Sequence, residues 1–145
     1  MRPRSLLAIL ALALAAACGD PTGPLNGIWR YSTGNMTSVF SPNVMCIISD
    51  VTVNLSHRGS ALAGQTSGGS VYCTSQGHMS VPTPLSFDVS GFTRDSLVSF
   101  DIGGTSGIKN VGIRVGDQVV GTASVPVDLV AGDTIWISGQ FRLLR

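Results

Sequence analysis

Apolar and polar residues alternate with a period of two along most of the chain after residue 25. This period is typical of strands whose two faces meet different environments, and no helical period extends beyond about one turn in this region. The alternation predicts an all-β domain over residues 26–145, in which the apolar member of each alternating pair faces the interior. The predicted strands are 26–33, 46–58, 60–66, 70–75, 84–91, 96–104, 109–115, 118–124 and 134–145.

Short turns join most of these segments, so strands that are neighbours in sequence should pair antiparallel in an up-and-down meander of eight to ten strands. Such a meander closes, or nearly closes, into a barrel because closure removes exposed strand edges; a β-sandwich is the alternative. The apolar phase shifts near Ser49–Asp50, which predicts a β-bulge there. Glycines inside strands suit the tight bends of a small barrel, and they stand at Gly64, Gly112, Gly121 and Gly139.

The N-terminal stretch MRPRSLLAILALALAAACGDPTGP has a different pattern. Arg2 and Arg4 precede an apolar run over residues 6–17, which is shorter than the ~20 residues that span a bilayer. A basic start, a short apolar run and small residues at its end are typical of a secretory signal peptide. We therefore expect residues 1–17 to be removed on export.

The residues at the end of this run, Ala15-Ala16-Ala17-Cys18, resemble the lipobox of bacterial lipoproteins, although that family favours Leu where Ala15 stands. The resemblance implies cleavage before Cys18 and acylation of that cysteine, so that residues 18–25 form a lipidated N-terminus and a tether. Several acyl chains make a stable membrane anchor. The implied location is the bacterial cell envelope, and Gly19 after the cysteine, where the family's inner-membrane signal is Asp, favours the outer membrane.

The number of cysteines supports this interpretation. An odd thiol in an exported protein needs an explanation, and lipidation of Cys18 leaves an even pair. Cys46 and Cys73 lie on different predicted strands, and in an oxidising compartment they should form a disulfide. No Cys or His stands at metal-ligand spacing near them, so we expect no metal site.

Charge and composition exclude further classes. The formal charge of +1 becomes −1 once Arg2 and Arg4 leave with the signal, so no basic field is available to hold a nucleic acid. All acidic residues are Asp, and Lys109 is the single lysine, so strong helix formers are scarce. No glycine-rich loop follows a strand and opens a helix, so we expect no nucleotide cofactor.

The first predicted strand contains Gly27-Ile28-Trp29, and the last one ends with Arg142 and Arg145. This G-x-W resembles the opening strand of the calycin group, the lipocalins and avidins, whose Trp closes one end of an up-and-down barrel. In lipocalins an Arg near the end packs over that Trp by a cation–π contact. The resemblance implies the barrel but no biotin site, since Trp136 is the one other tryptophan.

Candidates for chemistry are few. His57 and His78 fall in a turn and in the proline-containing loop 74–84, outside any metal-binding or nucleophile motif, so they are interpreted as solvated turn residues. Asp88 and Asp101, on adjacent predicted strands, could be paired carboxylates, but outward polar positions of a meander are more ordinary. The loop 74–84 is the best candidate for a functional segment, because loops at a barrel mouth often bind.

The sequence therefore predicts a lipid-anchored, disulfide-linked barrel without catalytic activity or cofactor. In the preferred hypothesis it binds a small apolar ligand in a cavity lined by the inward apolar positions. An interior filled by Phe87, Phe100 and Phe141 would argue against that cavity. The alternative is a structural or protein-interaction lipoprotein, including a hydrolase inhibitor, with a packed core and an exposed apolar patch. An enzyme using His57 or His78 ranks last.

Overall fold

A computed structural model describes residues 23–75, 78–79, 83–129 and 132–145, and within these ranges the regular structure is almost entirely β. One short 3-10 turn, η1 (Gly104–Ser106), is the exception. The strands are β1 (Gly27–Thr33), β2 (Met36–Ser38), β3 (Ser41–Ser49), β4 (Val51–Arg58), β5 (Ala61–Ser67), β6 (Ser70–Ser75), β7 (His78–Met79), β8 (Asp88–Arg94), β9 (Leu97–Ile102), β10 (Ile108–Val115), β11 (Gln118–Asp128) and β12 (Thr134–Leu144).

Eight of these strands form a closed antiparallel ring in the order β1, β4, β5, β8, β9, β10, β11 and β12. Pairing of β12 with β1, from Arg30 with Leu144 to Thr33 with Phe141, closes the ring. The order follows the chain, so the predicted up-and-down meander is confirmed, and the architecture is a barrel rather than a sandwich.

The strands β2, β3, β6 and β7 extend the sheet beyond the ring, and we call them the lip. Both β1 and β2 pair with the same edge of β12, so they follow each other end to end along it. The predicted change of phase is present as a break between β3 and β4, which are separated by Asp50 alone, whose φ is 52°. Ile48 and Val51, on either side of it, are therefore both buried.

Three aromatic rings fill the middle of the barrel interior, and we call Tyr31, Phe100 and Phe141 the aromatic cluster. Their centroids lie 5.6–6.2 Å apart, and two of the three pairs meet edge to face. Phe100 and Phe141 therefore occupy the interior, which is the outcome that argues against a ligand cavity in the middle of the barrel. Phe87 does not join them, since it is 49% exposed at the rim.

The predicted orientation of β10 is wrong. Val111, Ile113 and Val115 point outward and are exposed, whereas Asn110 and Arg114 on the other face are buried. The physical reason lies in the inward partners, because the Asn110 amide bonds to the Tyr31 hydroxyl and the Arg114 guanidinium bonds to the segment before β1. These bonds compensate the polar groups for the loss of water.

Gly112, also on the inward face of β10, makes room for the aromatic cluster. A Cβ at this position would lie 2.9 Å from Cζ of Phe141 and 2.6 Å from the Val120 carbonyl oxygen. Its cross-strand partner is Gly121, which in turn is opposite Phe141 on β12. The two glycines therefore form a notch in which the Phe141 ring sits.

Several strand limits differ from the predicted ones. The lip strand β2 and the first half of β3 lie in residues 36–45, where no strand was predicted. The predicted strand 84–91 begins regular pairing only at β8, although buried Leu85 precedes it. β11 continues to Asp128, beyond the predicted end at 124.

Candidate functional site

The two ends of the barrel differ. At the closed end, tight turns at 59–60, 95–96 and 116–117 join the strands, and residues 23–26 lie across the opening with Leu25 fully buried. At the opposite end, which we call the mouth, the connection 103–107 and the lip surround an open pocket.

The pocket at the mouth is apolar and has a volume of about 280 Å³. It is bounded by inward-facing side chains of the strands and by the rim connections. The lining residues are Ile48, Val71, Leu85, Phe87, Ile102, Gly103, Ser106, Gly107, Ile108 and Val125.

Phe87 is held at the rim of this pocket by the buried side chain of Thr66. The Phe87 amide donates to Oγ1 of Thr66 at 2.9 Å, and the Thr66 amide donates to the Phe87 carbonyl at 2.8 Å. Gly103, with a φ of 82°, stands beside the ring, where an added Cβ would come within 3.7 Å of it. The ring therefore forms one wall of the pocket instead of filling the interior.

The lining sets the chemistry that the pocket can accept. Among the described residues that form it, none has an ionisable side chain, and the Ser106 hydroxyl is the single polar side-chain group. A charged ligand would lose its hydration there without a partner. The volume is close to the lower end of ligand cavities, ~300 Å³. The arrangement therefore suits a small, uncharged, mostly apolar molecule.

The aromatic cluster limits how deep such a molecule could enter. Ile102 and Ile108 of the pocket lie one inward position closer to the mouth than Phe100 and Asn110. Asn110 and the aromatic rings are fully packed beneath them. Binding space is therefore confined to the mouth end.

The predicted disulfide between Cys46 and Cys73 is present and joins two strands of the lip. The two cysteines are directly opposite each other in the register of β3 and β6, with their Cα atoms 4.0 Å apart. Each stands two residues from a pocket residue, Ile48 on β3 and Val71 on β6. The covalent bond therefore fixes the two strands that form one side of the pocket.

An exposed apolar tip lies beside the mouth. The turn between β2 and β3 places Val39 and Phe40 at its apex, and each is 90% exposed. The Phe40 amide donates to Oγ of Ser38 at 3.2 Å, which shapes the turn. Two adjacent apolar side chains at such exposure are unusual for a turn, where polar residues dominate.

The closed end is covered by hydrogen bonds to the segment before β1. Nε1 of Trp29 donates to the Leu25 carbonyl at 2.9 Å, and the Leu25 amide donates to Nδ1 of His57 at 3.1 Å. Nη1 of Arg114 donates to the Gly23 carbonyl. The apolar side chain of Leu25 is thereby held in the end of the barrel.

His57 is not the solvated turn residue that the sequence predicted. It lies in β4, and both ring nitrogens have partners, because Nε2 is 2.9 Å from Oγ1 of Thr93. The predicted turn 57–60 begins only after Arg58. This imidazole links the N-terminal segment, β4 and β8, and nothing else reactive touches it among the described contacts.

The expected contact between Trp29 and an arginine near the C-terminus is also found at the closed end. It is made by Arg145, whose guanidinium carbon lies 5.8 Å from the centroid of the Trp29 ring. Nη2 of Arg145 also donates to the Asn26 carbonyl at 3.2 Å. Arg142 instead points outward from β12 and is exposed.

Asp88 and Asp101 face outward on adjacent strands, and each has its own partner. Asp88 accepts a hydrogen bond from Gln65 at 3.2 Å, and Asp101 forms a 2.6 Å ion pair with Lys109. Both carboxylates therefore occupy outward polar positions of the meander, as their alternation with apolar residues predicts, and they do not pair with each other.

Some predicted residues cannot be placed. Cys18 lies outside the described residues, as do 76–77 and 80–82 of the loop 74–84. For His78 the backbone alone is described, within β7.

Two further observations concern the described part of the chain. It contains no group of three or more His, Cys, Asp or Glu side chains that could hold a metal ion. In the same ranges, no helix is long and apolar enough to cross a membrane.

Comparisons with protein-family models, with curated protein sequences and with solved structures found no match to this chain. The class of the molecule is therefore defined by its architecture, which is a closed eight-stranded up-and-down β-barrel with an apolar pocket at its mouth.

Proposed function

We propose that this chain is an exported lipoprotein, anchored through Cys18, whose barrel binds a small uncharged apolar ligand without catalysing a reaction on it. The observation that carries the binding function is the pocket of about 280 Å³ at the mouth, with its apolar lining. An open apolar concavity with one polar side chain is the usual form of a small-molecule site.

The position of the N-terminal segment supports the anchor. Residues 23–26 bind at the closed end, so a lipid on Cys18 is attached at the end opposite the pocket. A bilayer at the closed end would leave the mouth open to the aqueous phase. The contact of Arg145 with Trp29 supports the proposed kinship with the calycin group.

Binding can be tested with the fluorescent apolar amine 1-N-phenylnaphthylamine as probe. Val125 faces the pocket from β11, and Ser124, its neighbour, faces outward. We expect Val125→Trp to fill the pocket and weaken probe binding by about tenfold or more, while the matched control Ser124→Trp binds as the parent does. Equal affinities in the three proteins, all shown to be folded by circular dichroism, would overturn the proposed site.

The anchor is tested by the intact mass of the chain expressed in a bacterial host. We expect a species that begins at Cys18 and is heavier by a diacylglycerol and an acyl chain. An inhibitor of lipoprotein signal peptidase should abolish it. A chain that begins at Cys18 without added mass would contradict the anchor, and Cys18→Ser serves as the control.

A protein-interaction function is the second candidate, and the exposed tip with Val39 and Phe40 favours it. A photoreactive amino acid at position 40 should then cross-link one defined envelope protein in cells. The control places the same residue at position 28, where Ile28 is also exposed but lies on β1, away from the mouth. Identical cross-linking patterns at the two positions would argue against this candidate.

A further inference from the structure

The outer surface of the barrel has one apolar region that the ligand pocket does not explain. Five exposed side chains on β8, β9 and β10, each 36–56% exposed, form it, and we call this set the apolar wall. Its members are Phe92, Leu97, Val111, Ile113 and Val115. Outward positions of an antiparallel barrel in water are ordinarily polar, so this surface needs a partner.

The strand register makes the wall continuous. Leu97 is directly opposite Ile113, and Val111 and Val115 flank Ile113 on the same face of β10. Ser99 lies between Phe92 and Val111 in the neighbouring cross-strand row. Side chains at these spacings touch or nearly touch.

The N-terminal segment enters the barrel beside this wall. Arg114, which lies on β10 between Ile113 and Val115, donates from its inward face to the Gly23 carbonyl. Gly23 shares a small cleft with Thr93 and Asp95, at the end of β8 and the turn into β9. Gly23, the first described residue, therefore lies at the closed end on the side of the wall.

The covalent distance to the anchor is short. Residues 18–22 are five residues, and five residues span at most about 18 Å when fully extended. A lipid on Cys18 consequently holds the bilayer surface within that distance of Gly23, and the wall is the apolar surface on that side.

A basic side chain stands at one edge of the wall, because Arg94 on β8 is directly opposite Leu97, whose neighbour on the other side is Ile113. Asp95 and Asp117 lie beyond this row, in the turns of the closed end. A guanidinium group beside apolar side chains suits the phosphates of lipid headgroups.

We propose that the apolar wall is a membrane-contact surface, which rests on the phospholipid bilayer that holds the Cys18 anchor. The barrel then lies tilted on β8, β9 and β10, with its mouth directed away from the bilayer. This inference extends the proposed lipid anchor, but the surface acts through its own side chains, as interfacial proteins do.

The test uses the chain from residue 18 with Cys18→Ser, because it has no lipid and still contains the closed ring and the segment that covers the closed end. Its binding to vesicles of phosphatidylcholine and phosphatidylglycerol is measured by flotation. We expect measurable binding that the double variant Val111→Ser, Ile113→Ser weakens by about tenfold. Ile28→Ser, at a 67% exposed site on β1, and Phe40→Ser, beside the mouth, should bind as the parent does.

Three results would overturn the proposal. They are no binding by the parent, equal binding by the double variant, or a loss in Phe40→Ser of the same size. Sedimentation of the parent and the double variant in solution provides the second check, since a dimer that the double variant dissociates would assign the wall to a second copy. The intact mass of the expressed chain tests acylation of Cys18 and does not depend on vesicle binding. A wrong membrane-contact surface and a wrong lipid anchor would therefore give different results.

Discussion

The Tyr31 hydroxyl donates a 2.7 Å hydrogen bond to Oδ1 of Asn110 across the interior of the barrel. The two residues lie on β1 and β10, which are not neighbours in the ring. Asn110 in turn donates to the Phe100 carbonyl at 3.2 Å, so both polar groups are satisfied although both are buried. This pair links opposite walls and explains why a polar residue occupies the inward face of β10.

Tyr31→Phe should destabilise the fold by about 2 kcal/mol, because it removes this bond and leaves Oδ1 of Asn110 buried without its partner. Urea unfolding at neutral pH measures the change. The replacement Asn110→Leu provides a check. In that background the destabilisation caused by Tyr31→Phe should nearly vanish, because the hydrogen bond between the two residues is already gone.

The same hydroxyl should make the fold sensitive to alkali. Burial raises the pKa of Tyr31 well above its ordinary value of about 10, so the folded state keeps the proton longer than the unfolded state does. The stabilisation is complete below about pH 10 and is lost as pH rises above it, because the unfolded chain then ionises. Urea unfolding between pH 9 and 11 should show this loss in the parent and in Tyr72→Phe, but not in Tyr31→Phe. A loss of the same slope in Tyr31→Phe would contradict the assignment.

Gly112→Ala should destabilise the barrel by roughly 1–3 kcal/mol, because its Cβ would overlap the Phe141 ring and the Val120 carbonyl. Gly34→Ala is the matched control, since a Cβ there would come no closer than 3.9 Å to any atom beyond its chain neighbours, the nearest being the Gln140 carbonyl oxygen. We expect the control to unfold within about 1 kcal/mol of the parent. Equal losses in the two variants would show that the notch for Phe141 has no energetic role.

Removal of the Cys46–Cys73 disulfide by Cys46→Ala, Cys73→Ala should cost roughly 3.6 kcal/mol in the loop-entropy estimate for cysteines 27 residues apart. Because the bond joins two strands of the pocket, the double variant should also bind the fluorescent probe more weakly. The parent unfolded in the presence of a reductant should reproduce the stability of the variant. Parent-like stability in both measurements would contradict the role given to the bond.

His57→Ala should open the closed end locally, because the buried Leu25 amide loses its acceptor at a cost of about 1–3 kcal/mol. Hydrogen exchange of the peptide that contains residues 23–28 is the direct measurement, and it should accelerate in this variant. Arg58→Ala, an exposed change on the same strand, is the control. Unchanged exchange in His57→Ala would mean that other bonds hold the segment.

The sequence was sufficient for those features that depend on short-range pattern. Alternation predicted the strands of the ring, and the change of phase predicted the irregularity at Asp50, where β3 ends and β4 begins. Cysteine parity predicted the disulfide, because pairing depends on compartment and count more than on exact geometry.

It was insufficient where long-range partners decide the orientation of a strand. In β10, alternation alone placed Val111, Ile113 and Val115 inside, yet the bond partners of Asn110 and Arg114 reverse the strand. The role of His57 depends on Leu25 and Thr93, which are 32 and 36 residues away in sequence. The pocket was likewise not predictable in detail, since Thr66 holds Phe87 at the rim from another strand.

Closure of the ring by β1 and β12 has a consequence for synthesis and delivery. Arg30 pairs with Leu144, so the edge of β1 that faces β12 stays unpaired until the last residues of the chain have been synthesised. When a polypeptide passes through a narrow channel with its N-terminus first, its early hairpins can form as they emerge. The barrel cannot close until the last strand has also emerged. Such a topology folds slowly and late. For the export proposed above, this delay would keep the chain unfolded during transport and would place the cooperative step of folding after it.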